Sequence, residues 1–182
     1  MDHRDHVALL RDGIPTATSD APAVWADVGS GEGAFTLALA DVLGPGATIH
    51  SVDRDRGALS KQARVMRERY PDTRLVEHVA DFTRPLELPP LDGIVMANSL
   101  HFVKEKAPVV ERLVAHLRPG GSFILVEYDA DRGNMWVPYP LSFDSWRALA
   151  ERVGLRATRR LHSVPSRFLG AIYSAGSQAA AG

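Results

Sequence analysis

The chain of 182 residues contains no cysteine, which excludes disulfides and thiolate metal sites. It lacks a long apolar run: no segment reaches the roughly 18 residues of a membrane-spanning helix. It also lacks an excess of charge of either sign. With 21 basic and 22 acidic residues the net charge is -1, so no general field draws nucleic acid or an anionic membrane. The first residues, Met1-Asp2-His3-Arg4-Asp5-His6, are polar, with no apolar signal core behind them. The expectation is a cytoplasmic protein with no membrane partner. What is present is 45% hydrophobic residue, enough for one sizeable core. One domain over 1–182 is expected rather than two, with 1–22 as an N-terminal helix and loop and 175–182 as a frayed tail.

Short apolar runs alternate with amphipathic ones. A helix at 7–10 ends at Gly13 and Pro15, and His3 and His6 precede it in a loose terminus. Strands are expected at 24–28, 48–53, 75–79, 93–97 and 122–128, with helices at 34–42, 56–70 and 106–117 between them. Pro119-Gly120-Gly121 reads as a turn before the fifth strand. That alternation argues for a parallel sheet with helices on both faces. The end differs: after a helix at 145–153, two β-like runs at 157–163 and 168–174 are joined by Val164-Pro165-Ser166, which suggests an antiparallel hairpin.

The strongest signal follows the first strand: Asp27-Val28-Gly29-Ser30-Gly31-Glu32-Gly33. Glycines let the backbone turn sharply and approach a ligand, because no Cβ intervenes. The helix that follows points free N–H groups and its positive dipole end into the same gap. Asp53 closes the second strand, twenty residues past Gly33, where a carboxylate accepts both hydroxyls of a ribose. A glycine turn alone equally serves to pack helix on strand; loop, helix and acid together point to a nucleotide-like ligand at the carboxyl ends of the strands. A dinucleotide is the rival ligand, but Asp27 and Glu32 would repel its pyrophosphate, whereas they attract a cation.

With these residues the chain resembles the class I S-adenosylmethionine-dependent methyltransferases, and among them is similar to the small-molecule enzymes of ubiquinone and menaquinone biosynthesis. The resemblance runs from about Val24 to Ser174. It implies a Rossmann-like, seven-stranded α/β fold, mostly parallel, with a C-terminal antiparallel hairpin. It implies S-adenosylmethionine as cofactor and S-adenosylhomocysteine as product. The methionine part would lie on Asp27, Gly29, Ser30, Gly31 and Gly33. Asp53 would grip the ribose, Arg54 would lie along the adenine, and Asp81 in Ala80-Asp81-Phe82 would meet the adenine amino group. Asn98 in Asn98-Ser99-Leu100-His101 would line the sulfonium side, and Leu117-Arg118-Pro119-Gly120-Gly121 matches the turn before strand five. The family often carries helices before strand one and a substantial lid. Both are short here, which argues against a large enclosed substrate pocket and is compatible with a homodimer in which a second subunit covers the site.

Transfer from a sulfonium is an in-line displacement in which alignment and exclusion of water carry most of the catalysis; a general base is needed only for an acceptor that holds its proton. His101, just past the fourth strand, is the best base candidate, since its reference pKa is near 6.5; helix capping or packing is the competing role. Tyr128 is the second catalytic candidate. In the segment after it, Asn134, Trp136 and Tyr139 offer polar and aromatic groups to an organic substrate, or pack as a plain surface loop. The other histidines have no ligand-like spacing, so no metal is expected. Arg152, Arg156, Arg159, Arg160 and Arg167 read as a solvated face. The expected reaction is methyl transfer to O, N or C of a small molecule. Nucleic-acid methylation is the rival, disfavoured because Ala97-Asn98-Ser99-Leu100 stands where an Asn-Pro-Pro-Tyr or Asp-Pro-Pro-Tyr tetrad would. A cofactor-binding module without turnover is the third reading.

Overall fold

Seven strands form one sheet in the order β3-β2-β1-β4-β5-β7-β6, in a computed structural model that describes residues 1–15, 21–166 and 168–181. Of the loop expected at 16–22, residues 16–20 lie outside the described residues, as do Arg167 and the last residue of the tail. Strands β1 (Val24–Val28), β2 (Thr48–Asp53), β3 (Arg74–Val79), β4 (Leu91–Ala97) and β5 (Leu117–Tyr128) are parallel neighbours. β6 (Leu155–Pro165) and β7 (Ala171–Ala179) are antiparallel, and β7 sits between β5 and β6. In β1 the run Trp25 to Val28 is buried at every position, as a central strand covered on both faces requires.

Helices cover both faces. α1 (His3–Arg11), α2 (Ala34–Leu43) and α3 (Arg56–Arg69) lie on one side, where Leu9, Leu10, Leu39 and Met66 pack with Trp25, Val95, Ile124 and Val126. α4 (Ala107–Val114) and α5 (Phe143–Arg152) lie on the other, where Val110, Leu113, Trp146 and Leu149 pack with Ala26, Ile94, Met96 and Phe123. Alternate residues of each central strand feed opposite cores. β2 and β3 run outward from one side of β1, and β4 and β5 from the other. This change of direction opens a crevice at the carboxyl ends of β1 and β4, where ligands bind in such sheets.

Several expectations are corrected. α1 begins at His3 because Asp2 and Asp5 form a capping box; the loose terminus is instead a packed helix, with His3 against Asp41 and His6 against the ring of Phe35. β5 starts at Leu117, so the Pro-Gly-Gly turn is a bulge inside the strand: pairing jumps from Leu91↔Leu117 to Gly93↔Ser122. β7 runs from Ala171 to Ala179 rather than over 168–174. Its bonds to both β5 and β6 make most of the expected frayed tail a ladder strand. Sequence reasoning missed it because small residues give no apolar signal.

Candidate functional site

Three glycines shape the loop after β1. Gly29, Gly31 and Gly33 have φ of 77°, 54° and 89°, a region that L side chains seldom enter. Gly29 N and Ser30 N donate to Val52 O at 2.8 and 3.1 Å, and Gly31 N donates to Asp53 Oδ2 at 2.8 Å. The loop is thereby tied to the end of β2. A Cβ on Gly29 would strike Ser99 and one on Gly33 would strike Gln62, whereas Gly31 faces open space. Gly33 starts α2 with no side-chain cap, so the first amides of that helix stay available to a ligand.

Behind the loop runs a directed chain of hydrogen bonds. Ser51 Oγ donates to Gln62 Oε1 (2.6 Å), Gln62 Nε2 to Thr36 Oγ1 (2.5 Å), and Thr36 Oγ1 to Asp27 Oδ2 (2.6 Å). Ser51 has spent its one proton, so Ser30 Oγ donates to it at 2.7 Å. The chain begins at the loop and ends on Asp27. Sequence reasoning missed Gln62 and Thr36; the signal was a pair of polar residues on the inward faces of α3 and α2. Asp27 is buried, and among the described residues its Oδ1 has no partner. Burial pushes its carboxyl up to about 7, with Asp53 adding to the shift and the Thr36 bond opposing it.

Of the two loop acids, only Asp27 belongs to this interior. Glu32 turns outward to Lys61 (2.6 Å), with both side chains mostly exposed, so it adds nothing to the charge inside the crevice. Asp53 lies at the rim, with Oδ1 accepting from Asp55 N at 2.8 Å. Asp81 accepts from Thr83 N and Oγ1 (2.9 and 2.7 Å), bonds that hold its carboxyl below the usual range. The ring of Phe82 lies against Gly29. Arg54 is exposed, with its charge felt by Asp81. Asn98 has φ of 50°, and its buried Oδ1 has no partner among the described residues.

The structure brings His101, Tyr128 and Tyr139 together, and places Asn134 in the loop that follows Tyr128. His101 lies in a single helical turn, Leu100–Phe102, beyond β4. Its ring meets that of Tyr128 edge-on at 5.6 Å. Burial first, then Glu127, pushes the Tyr128 phenol up. Tyr139 N donates to His101 O at 3.0 Å, docking the loop 129–142 onto the turn. Asn134 Oδ1 accepts from Trp136 N and Val137 N, both at 2.8 Å, so it shapes the loop. Trp136 is 71% and Met135 84% exposed, and Phe102 and Tyr139 are exposed as well. Lys106 lies 5.7 Å from the centre of the Tyr139 ring. Sequence reasoning missed Glu127, a fully buried carboxylate that meets His101. The signal was the single charge in the apolar strand Phe123-Ile124-Leu125-Val126-Glu127-Tyr128.

The arginine face is partly engaged: Arg159 donates to Asp12 O and Arg160 to Asp129 Oδ2, at 2.7 and 2.8 Å. Among the described residues no group of three or more His, Asp or Glu is arranged to hold a metal, and no helix is long and apolar enough to cross a membrane.

A family model described as a methyltransferase domain matches residues 26–123. The carboxy-S-adenosyl-L-methionine synthase of Chromohalobacter salexigens is 36% identical over 104 residues, 56% of this chain and 38% of that protein. The chain thus spans well under half the length of this curated relative. Among solved structures, the YcgJ protein of Bacillus subtilis superposes with a TM-score of 0.75 at 14% identity, covering 99% of this chain and 100% of that one. The phosphoethanolamine N-methyltransferase 2 of Haemonchus contortus, in complex with phosphomonomethylethanolamine and S-adenosylhomocysteine, also gives 0.75 at 14% identity, over 98% of this chain and 53% of that one. The CurJ carbon methyltransferase gives 0.71 at 18% identity, over 93% and 51%. Such identities show a shared fold.

Proposed function

The chain belongs to the methyltransferase domain family, with the class I S-adenosylmethionine-dependent fold, and from that premise we propose that it methylates O, N or C of a small molecule. The observation that carries the reading is the partnerless Oδ1 of buried Asp27 at the glycine loop. A buried acceptor without a donor costs about 1–3 kcal/mol, and a ligand ammonium group supplies the donors. Asn98 Oδ1 is a second such acceptor at the strand ends. These oxygens suit a cation and would repel a pyrophosphate, so the residues fit S-adenosylmethionine better than a dinucleotide.

When bound, that cofactor supplies a methyl group on a positively charged sulfur, which keeps the bonding pair as the carbon passes to the acceptor. In this reading Asp27 and the backbone of Gly29, Ser30, Gly31 and Gly33 hold the methionine end. Asp53, already oriented by Gly31 N, holds the ribose; Arg54, Asp81 and Phe82 border the adenine; Asn98 lines the sulfur side. His101 takes the acceptor's proton, and Tyr128 orders the same pocket from β5. Trp136 and Tyr139 receive an apolar part of the acceptor, and Asn134 keeps that loop in shape. The protein works in the cytoplasm, and a second copy of the chain covers the exposed rim.

Calorimetry with S-adenosylhomocysteine and with NAD tests the cofactor. The expected result is binding of the former, weakened by about 1–3 kcal/mol in Asp53→Ala through loss of charged hydrogen bonds. Tighter binding of NAD would overturn the reading. The identity to a carboxy-S-adenosyl-L-methionine synthase favours one second reading, in which the chain makes that carboxylated cofactor. Mass spectrometry of the cofactor recovered after turnover separates the two products.

A further inference from the structure

His101 and Glu127 form a buried pair that spans the crevice from the end of β4 to the end of β5. His101 Nδ1 lies 3.1 Å from Glu127 Oε1 and 3.0 Å from Oε2. The same carboxylate accepts from His101 N at 3.0 Å and from Tyr128 N at 3.2 Å. Glu127 is 0% and His101 4% exposed. Three N–H groups therefore converge on one carboxylate, which in its ionised form offers only acceptors. Nδ1 must then carry the imidazole proton, and in the neutral ring Nε2 is left with a free lone pair. Among the described residues no hydrogen bond engages Nε2, and it is not one of the buried atoms that lack a partner. It therefore keeps a small solvent-accessible area on a residue otherwise buried. The rings of Phe102 (4.2 Å) and Tyr128 (5.6 Å) flank the imidazole.

A carboxylate buried for packing alone would be a poor choice in this strand, because an isolated buried charge is costly and an apolar residue of like volume serves as well. Its bonds all go to one side: two to His101, and one to the backbone beside it. The charged or titratable groups that face it are Lys106, Tyr128 and Tyr173, and none is bonded to it through its side chain. Lys106 donates instead to Val103 O at 2.8 Å.

We propose that Glu127 is the positioning residue for His101, fixing its tautomer and ring orientation so that Nε2 faces the acceptor as a proton acceptor. This inference rests on the proposed methyl transfer with His101 as base. The proton on the acceptor's reacting atom passes to Nε2, and the electron pair it leaves stays on that atom for the bond to carbon. The arrangement is useful only for an acceptor that is protonated at neutral pH. It therefore narrows the acceptor to a phenol or alcohol, an ammonium nitrogen, or a carbon bearing an acidic C–H, and excludes a group that is already an anion.

The test is 15N NMR of histidine-labelled protein, with the His101 signals assigned by their loss in His101→Gln. In the wild type at pH 8 a single tautomer is expected, with a protonated Nδ1 and an unprotonated Nε2. Glu127→Gln replaces the carboxylate with a group that offers both donor and acceptor, and is expected to give a mixture of tautomers. Glu127→Asp, which keeps the charge, is expected to restore the single tautomer, and Glu127→Leu, which removes the charge at similar volume, is expected to give the mixture and stands in if the amide variant does not fold. Each variant is titrated with S-adenosylhomocysteine and is expected to bind within about twofold of wild type. A wild-type Nε2 that carries the proton, or a tautomer unaltered in Glu127→Gln, would overturn the proposal. Failure of the wild type to bind S-adenosylhomocysteine would instead strike at the parent reading, and leaves the tautomer result standing by itself.

Discussion

Asp27 is a buried carboxylate, with one oxygen bonded to Thr36 and the other without a partner among the described residues. Burial raises its pKa from 3.8 to about 7, so the folded chain holds a proton there that the unfolded chain releases. That contribution to stability is complete below about pH 4 and is lost as pH rises through about 7. Asp27→Asn removes the ionisation while keeping the shape. Between pH 5 and pH 8 the melting temperature of the wild type, without ligand, is therefore expected to fall relative to that of Asp27→Asn. Parallel melting curves across that range would count against the buried, partly protonated acid. The same residue shows how far one-dimensional reading reaches. Asp27 and Glu32 flank the same glycines, and both read as acids of the site. The strand pleat turns Asp27 inward, and the loop turns Glu32 out to Lys61.

At the scale of elements, the β2–β3 pairing contains a histidine couple. His50 Nδ1 and His78 Nε2 lie 2.9 Å apart across the ladder, each partly removed from water. Burial is the first cause that lowers both pKa values from 6.5, and His50 is lowered further by His78 and Arg74. Two neutral rings share one proton well, and two imidazolium rings repel. Here the folded pKa values are depressed, so the contribution is present above about pH 6.5 and is lost as pH falls below it. Hydrogen exchange of the β3 amides, corrected for intrinsic rate, is expected to quicken at pH 5.5 relative to pH 7.5. His78→Gln is expected to flatten that dependence; an unchanged pH dependence in the variant would remove the couple as its cause. Element boundaries were legible where capping or apolar character was strong. β1 and β2 begin and end where the sequence pattern puts them. β7 was misplaced because register is set by its partners, β5 and β6, and not by its own small residues.

Across the whole molecule, the two helical layers meet through the central strands, and one close fit crosses them. Gly93 on β4 pairs with Trp25 on β1, and a Cβ at Gly93 would run into the indole ring. Trp25 is almost fully buried and has no room to withdraw. Gly93→Ala is expected to destabilise the fold by about 1–3 kcal/mol through overpacking. For a chain of this size that is roughly 2–4 °C of melting temperature per kcal/mol. A melt unchanged within a degree would mean that the indole has another place to go. The same packing holds β1 and β4 side by side, and so sets the separation of the glycine loop from the turn that carries His101.

The amino-acid sequence alone determined the alternation of strands and helices, the glycine loop between β1 and α2, and the acid that ends β2. Each of these is local: a turn needs its glycines, a helix its cap, and a covered strand its apolar run. Tertiary structure alone decided which acids share the crevice, and that Gln62 and Thr36 link Ser51 to Asp27. It also decided that Glu127 lies beneath His101, twenty-six residues away in the chain. Those outcomes depend on which way a side chain leaves its strand and on which strands become neighbours. A sheet whose order runs β3-β2-β1-β4-β5-β7-β6 brings strand ends together that are far apart in sequence, and only there does a lone charge in an apolar strand acquire its partner.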